Sequence, residues 1–311
     1  MTRPSACLCL ACSLLCGLAM AWFAKAACAE VVITDDQGET VRLEKPASRV
    51  IALSGALAEI LAAMGEGDAL VARTDADADI PALKNKPSVG THMRPNLELV
   101  LGARPDLVIQ LAGRKESLES VASLRRLGLP VAVFRIGSFA ELFSAAERLG
   151  VLTGAPGAAE TLINGLGARL SALRAKWPPG PKPRVFFEVR YPNLLGAGRD
   201  SIVSAEIEAA GGENVLAAEA GDKRVVRLGE EELARLDPGV YVVQRGPMNE
   251  NPVPPADRPH FSELPAVRAG RVYEVSESLY SRPGPGAVTA AEELFAMIHE
   301  KSAPKGAGET Q

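Results

Sequence analysis

Arginine, histidine and tyrosine recur in this chain just past short apolar runs: His92 and Arg94, Arg114, Arg190 and Tyr191, Arg245, and Tyr280 with Arg282. A guanidinium meets a carboxylate or phosphate through two parallel N–H bonds, so such a set suits an anionic ligand. His92 adds a neutral ring nitrogen that could serve as an axial metal ligand. Each residue taken alone reads equally as a solvated charge or a hydrogen-bonded loop side chain; their recurrence after successive strands is the signal. Catalytic machinery is poorly represented. The sequence contains no G-x-x-x-x-G-K-[ST], H-E-x-x-H or G-x-S-x-G, motifs that would cradle phosphate, hold zinc or present a serine nucleophile. The three histidines, His92, His260 and His299, are far apart, and all five cysteines fall within the first 29 residues. That weakens a multi-histidine zinc site and excludes a cysteine nucleophile from the remainder. No catalytic residue is assigned, and no intrinsic cofactor is expected.

The elements that would position these residues alternate between strand and helix. Val31 to Leu43 has the pattern of a hairpin, and Arg49–Leu53, Ala69–Ala72, Asp106–Leu111 and Pro130–Arg135 are β-rich. Helical patterns run over Ala56–Met64, Leu97–Gly102, Lys115–Leu127 and Phe139–Leu149, with an irregular stretch over 74–95. Farther on, strands are expected at Arg184–Val189, Val240–Gln244 and Arg271–Val275. Helices are expected at Ile202–Ala210, Glu230–Leu236 and Ala287–His299, with a proline-rich loop from Arg245 to Pro259. Such alternation implies right-handed βαβ units and mainly parallel sheets. Ligands of open α/β sheets sit beyond the carboxyl ends of the strands, where the arginine-bearing loops gather.

Between the two runs lies one long amphipathic helix, Pro156 to Trp177. Leu162, Leu166 and Leu170 recur at four-residue spacing, flanked by Ile163 and Leu173. Pro156 suits its first position, and the prolines after Trp177 stop it. At 1.5 Å per residue it spans roughly 33 Å, the width of a small domain. The expected fold is therefore α/β, with two Rossmann-like lobes joined by one long backbone helix. Its parts are a lobe over 30–153, the connecting helix over 154–180 and a second lobe over 181–300.

The two halves share a local pattern. Glu98 and Glu231 each stand in a first helical turn, seven residues before a proline that leads into a β run: GARPDLVI in one case, RLDPGVYVV in the other. Each glutamate would complement a helix dipole, worth about 0.3–1 kcal/mol. Their equivalent placement also offers one carboxylate per lobe to a single partner lying across both.

Residues 1–29 read as a cleaved signal peptide: Arg3, then an apolar run from Leu8 to Phe23, then Ala27-Cys28-Ala29. Cys28 keeps lipid anchoring as the lesser alternative, because Lys25 stands where a lipobox wants leucine. An exported, periplasmic protein is expected, with a disordered polar tail over 301–311. The net charge of −4 and the aromatic content of 5% give no basic, aromatic-rich surface for nucleic acid.

The chain resembles the periplasmic binding proteins of ABC importers for vitamin B12, haem and ferric siderophores. The resemblance rests on RVIALSGALAEILAAMG (49–65), NLELVLGARPDLVI (96–109), AGRDSIVSAEIEAAGGENV (197–215) and SRPGPGAVTAAEELFAMIH (281–299). It implies a monomer with a shallow interlobe cleft and limited hinge motion. It also implies that Glu98 and Glu231 dock onto arginines of a permease dimer. His92-Met93-Arg94 is similar to a place where haem-binding members carry a tyrosine followed by Met-Arg, which makes an iron complex, haem or a ferric siderophore, the expected cargo. Cobalamin or another corrinoid is the close alternative. A periplasmic tetrapyrrole metallochelatase and a receptor for bare zinc or manganese are two further readings.

Overall fold

The computed structural model describes residues 30–113, 115–219 and 221–299. The expectations for the signal peptide, Arg114 and the tail over 301–311 lie outside the described residues. The chain opens with an antiparallel hairpin, β1 (Val31–Thr34) and β2 (Thr40–Leu43). Asp35 closes its turn by accepting from the backbone N–H groups of Gln37 and Glu39.

There follow β3 (Val50–Ala52), α1 (Gly55–Ala63), β4 (Leu70–Ala72), α2 (Leu97–Gly102), β5 (Leu107–Leu111), α3 (Lys115–Arg126), β6 (Val131–Phe134) and α4 (Phe139–Thr153). Strands β3 to β6 form one parallel sheet in the order β4-β3-β5-β6. Its side chains alternate between two cores. Val50, Ala52, Leu107 and Ile109 face one, while Ile51, Leu53 and Val108 face the other, as the two-residue repeat of a strand requires.

Helix α5 (Pro156–Arg174) comes next. The second lobe contains β7 (Arg184–Arg190), β8 (Leu195–Ala197), α6 (Ile202–Ala209), β9 (Glu213–Asn214), β10 (Val225–Arg227), α7 (Glu230–Leu236), β11 (Val240–Arg245), α8 (Pro265–Arg268), β12 (Val272–Ser276), α9 (Glu277–Tyr280) and α10 (Gly286–His299). Its sheet runs β10-β8-β7-β11-β12, with β9 also beside β7. The three strands β7, β11 and β12 are parallel, while β8 and β10 are antiparallel additions. Again two cores flank the sheet, Phe187 and Val242 on one face, Phe186 and Tyr241 on the other. The architecture is thus the expected pair of α/β lobes on one backbone helix.

Helix α5 stops at Arg174, three residues short of the expected end. Trp177 then turns back onto the second lobe, its indole N–H donating to Ala209 O at 3.0 Å. Arg174 and Lys182 stack over its ring. Along its length α5 touches both lobes. Ala159 packs against Gly150 of α4 so closely that a Cβ on Gly150 would lie 2.6 Å from the Ala159 Cβ. Arg169 makes a paired ion bridge to Glu292 of α10 and donates to Thr289 Oγ1.

The sequence pattern shared by the halves corresponds to a shared backbone. Just past α2 comes Arg104 at φ 47°, and just past α7 comes Asp237 at φ 48°, each followed by a proline and a central strand. Arg49, at the start of β3, donates to Ala103 O and Arg104 O; Arg184, at the start of β7, donates to Leu236 O. In each lobe the arginine therefore binds carbonyls that the end of a helix leaves open. Backbone N–H groups of Asp106 and Gly239 close the motif on Arg49 O and Arg184 O.

Candidate functional site between the lobes

In lobe one the chain winds outward from β3 to β4 and then returns to β5 and β6. Lobe two winds from β7 to β8 on one side and to β11 on the other. The order reverses between β3 and β5, and between β7 and β11, and the crevices beyond those strand ends are where such sheets hold ligands. On lobe one, Gln110 at the end of β5 donates to His92 O at 2.7 Å, and Ser120 Oγ donates to Met93 O. These two bonds fix the 91–94 segment beyond the carboxyl end of β5, with the His92 and Arg94 side chains exposed. Thr91 closes the turn through the Arg94 backbone N–H.

On lobe two, Arg190 ends β7, and its Nε is buried with no hydrogen-bond partner. Gln244, one residue from the end of β11, is fully buried; its Oε1 accepts from Ser281, while its Nε2 has no partner. Tyr191 follows Arg190 and is joined to Pro192 by a cis bond. Unpaired buried donors cost free energy, which marks Arg190 and Gln244 as the polar anomalies at these two strand ends.

Arg245 and Arg282, also of the expected set, are already partnered. Arg245 forks onto both oxygens of Glu274 at 2.6 and 2.8 Å, and the guanidinium holds that carboxyl below the usual range. Arg282 bonds Glu59 of α1 at 2.7 Å, with Asp79 3.6 Å away. It therefore bridges the lobes instead of standing free for a ligand. Burial raises the Glu59 carboxyl, an effect that Arg282 opposes. Tyr280 is corrected outright: it is 1% exposed, lies in the core of lobe two, and donates to Glu293 Oε2 at 2.8 Å. A ligand has no surface of Tyr280 to touch.

Sequence reasoning missed the second set of interlobe contacts. Arg135 pairs with Asp200 at 2.6 Å, and Arg224 donates to Ala112 O and Ile136 O, carbonyls just past β5 and β6. The charges at 135 and 200 were visible, but their pairing spans 65 residues. The long loop after β11 also carries Asn249 and Arg258, both buried against Glu188 of β7. A glutamate within the apolar run RVFFEV was the available signal for this buried pair.

A pocket of about 200 Å³ beside this region is lined by Arg94, Pro95, Leu97, Glu116, Glu119, Ser120 and Ser123, all from lobe one. It is smaller than the roughly 300–1,000 Å³ of ordinary ligand sites. Among the described residues no group of three or more His, Cys, Asp or Glu side chains could hold a metal ion.

A model of the periplasmic binding protein family matches residues 50–279. The chain belongs to that family. This binding protein is 28% identical over 275 residues to an uncharacterized ABC transporter substrate-binding lipoprotein, YvrC, of Bacillus subtilis, covering 86% of this chain and 85% of the relative. It is 26% identical over 251 residues to the vitamin B12-binding protein of Vibrio parahaemolyticus, covering 80% and 89% respectively. Among solved structures, the periplasmic heme-binding protein RhuT of Roseiflexus sp. RS-1 superposes with a TM-score of 0.67 at 25% identity, over 82% of this binding protein and 99% of that chain. Among the described residues of this binding protein, no helix is long and apolar enough to cross a membrane.

Proposed function

We propose that this binding protein is the extracytoplasmic solute receptor of an ABC importer. It captures a metal chelate of the tetrapyrrole or siderophore class in the interlobe crevice and hands it to a permease dimer. The observation that carries this reading is the repeated helix–proline–strand motif, which sets Glu98 and Glu231 at matching positions of two lobes braced by α5. Both glutamates are exposed and stand in first helical turns. They offer one docking carboxylate per lobe.

Arg190, Arg94 and His92 supply the crevice with donors for an anionic edge and a ring nitrogen for a metal. Arg114 is the further candidate from the sequence. An iron complex suits the His92-Met93-Arg94 segment. A corrinoid is supported by the name of the Vibrio relative. The protein works as a carrier and not as a metallochelatase, and it exports by a signal peptide over 1–29.

The test is a spectroscopic titration with haemin, cyanocobalamin and a ferric trihydroxamate, paired with an uptake assay. One of the three should bind, and Glu98→Ala with Glu231→Ala should keep that affinity while abolishing uptake. Absence of binding to all three would overturn the cargo class. Parallel loss of binding and uptake would put the two acids in the crevice instead.

A further inference from the structure

A fully buried ion pair joins β7 to the loop that follows β11, beside the candidate residue Tyr191. Glu188 is 0% exposed and Arg258 is 3% exposed. Arg258 Nη2 donates to Glu188 Oε1 at 2.9 Å, and Nη1 reaches Glu188 Oε2. The pair is not isolated. Tyr241 OH donates to the same carboxylate, and Arg258 Nε donates to Val253 O at 2.7 Å. Asn249 Nδ2 donates to Gln244 O at 2.9 Å and lies 3.4 Å from Glu188 Oε1, while its Oδ1 accepts from the Tyr191 backbone N–H. The Arg258 guanidinium stacks 3.9 Å from the centre of the Tyr191 ring, which Phe261 meets edge-on.

These contacts share one geometric consequence. The loop between β11 and α8 is tied at Asn249, Val253 and Arg258, and these ties end on β7, on Tyr191, on Tyr241 and Gln244 of β11 or within the loop itself, while the Met248 N–H is held separately by Glu277 of α9. The loop after β7 is tied to the same group through Tyr191. We propose that the Glu188–Arg258 pair is a positioning device that locks the 191–194 and 246–258 segments together and so sets the lobe-two wall of the crevice. That this wall receives cargo rests on the carrier reading; that the pair fixes the wall does not.

A buried ion pair is a poor choice for stability alone, since apolar residues of similar volume commonly serve as well or better. What apolar residues cannot supply is the fork of donors and acceptors that joins two loops. The decisive variant is therefore Glu188→Leu with Arg258→Met, measured in the full ligand-free chain by thermal melting and by amide hydrogen exchange. The melting temperature should stay within about 3 °C of the parent, a change of about 1 kcal/mol in a domain of this size. Exchange in 191–194 and 246–258 should rise by about tenfold or more, the effect of one lost charged hydrogen bond, while β3, β5, β7 and β11 keep parental rates. Parental exchange in both loops would overturn the proposal. A uniform rise across β7 and β11 with a falling melting temperature would overturn it too, making the pair an ordinary stabilising contact.

Should the double variant fail to fold, Arg258→Lys keeps the charge and loses the fork and the stack, and the same loop-confined rise is expected. With haemin, cyanocobalamin and ferric trihydroxamate as probes, whichever the parent binds should bind the variant about tenfold more weakly. Equal affinity would remove the wall from recognition. If the parent binds none, the carrier reading fails while the exchange measurement still decides the positioning role.

Discussion

Arg245 and Arg282 show how one residue type takes different work from its surroundings. Arg245 ends β11 and Arg282 stands just past α9, yet one closes on Glu274 and the other on Glu59 of the opposite lobe. Their positions were legible in the sequence. Their partners were not, because the Arg282–Glu59 pair joins groups 223 residues apart. Glu206 is the clearest buried anomaly at this scale. It sits in α6 at 0% exposure, with both oxygens unpaired, and burial raises its carboxyl well above the ordinary range. Across the core it faces the Tyr280–Glu293 pair. A raised carboxyl contributes stability that is fully present below the unfolded value and is lost as pH rises through the folded one. Glu206→Gln should remove that decline. Its melting temperature relative to the parent should improve steadily from pH 5 to pH 8, by about 2–4 °C for each kcal/mol gained. Parallel melting curves at all pH values would show that Glu206 does not titrate in the folded range.

At the scale of elements, the strongly patterned segments were readable and the weak ones were not. Helices α2 and α7 and the parallel strands β3, β5, β7 and β11 stand within a residue or so of their expected spans, because apolar periodicity and proline or glycine punctuation agree there. Helix α4 runs four residues past its expected end at Leu149. Gly150 looks like a stop in the sequence, but it lies inside the helix because α5 needs the space. The true end is Gly154 at φ 76°. Strands β8, β9 and β10 were missed: two or three residues long, they exist through pairing with β7 or with each other, not through local preference. The α4–α5 contact gives a test. Gly150→Val would force side-chain atoms into Ala159 and the Ala155 carbonyl, so it should destabilise the chain by about 1–3 kcal/mol, read by urea unfolding. An unchanged midpoint would mean that α5 is free to slide on α4.

For the whole molecule, each lobe has its own pair of cores, and the lobes meet through polar bridges, α5 and Phe139 of α4, which packs against a core of each. Arg282–Glu59, Arg135–Asp200 and Arg169–Glu292 carry much of the ionic contact among the described residues. Partly exposed pairs contribute about 0–1 kcal/mol each, so removing two should loosen the lobes without unfolding either. Arg135→Ala with Arg282→Ala should turn a single calorimetric transition into two, with the crevice wider by solution scattering. One undivided transition at the parental temperature would show that these two bridges do not couple the lobes. The existence of two halves could be read from the repeated glutamate–proline spacing. Which bridges hold them at a given angle could not, since those bridges join residues that only the folded chain brings together.

Trp177 has a practical bearing on any such experiment. The sequence contains two tryptophans, Trp22 and Trp177, and only the second lies beyond the stretch read as a leader. Its indole is clamped where the brace joins the second lobe, against Ala209 and between two cations. Ultraviolet emission from Trp177 therefore reports the joint, not the crevice. A colourless solute that fills the crevice without rotating the lobes should leave that emission unchanged, and a strongly absorbing one should dim it by energy transfer over distance.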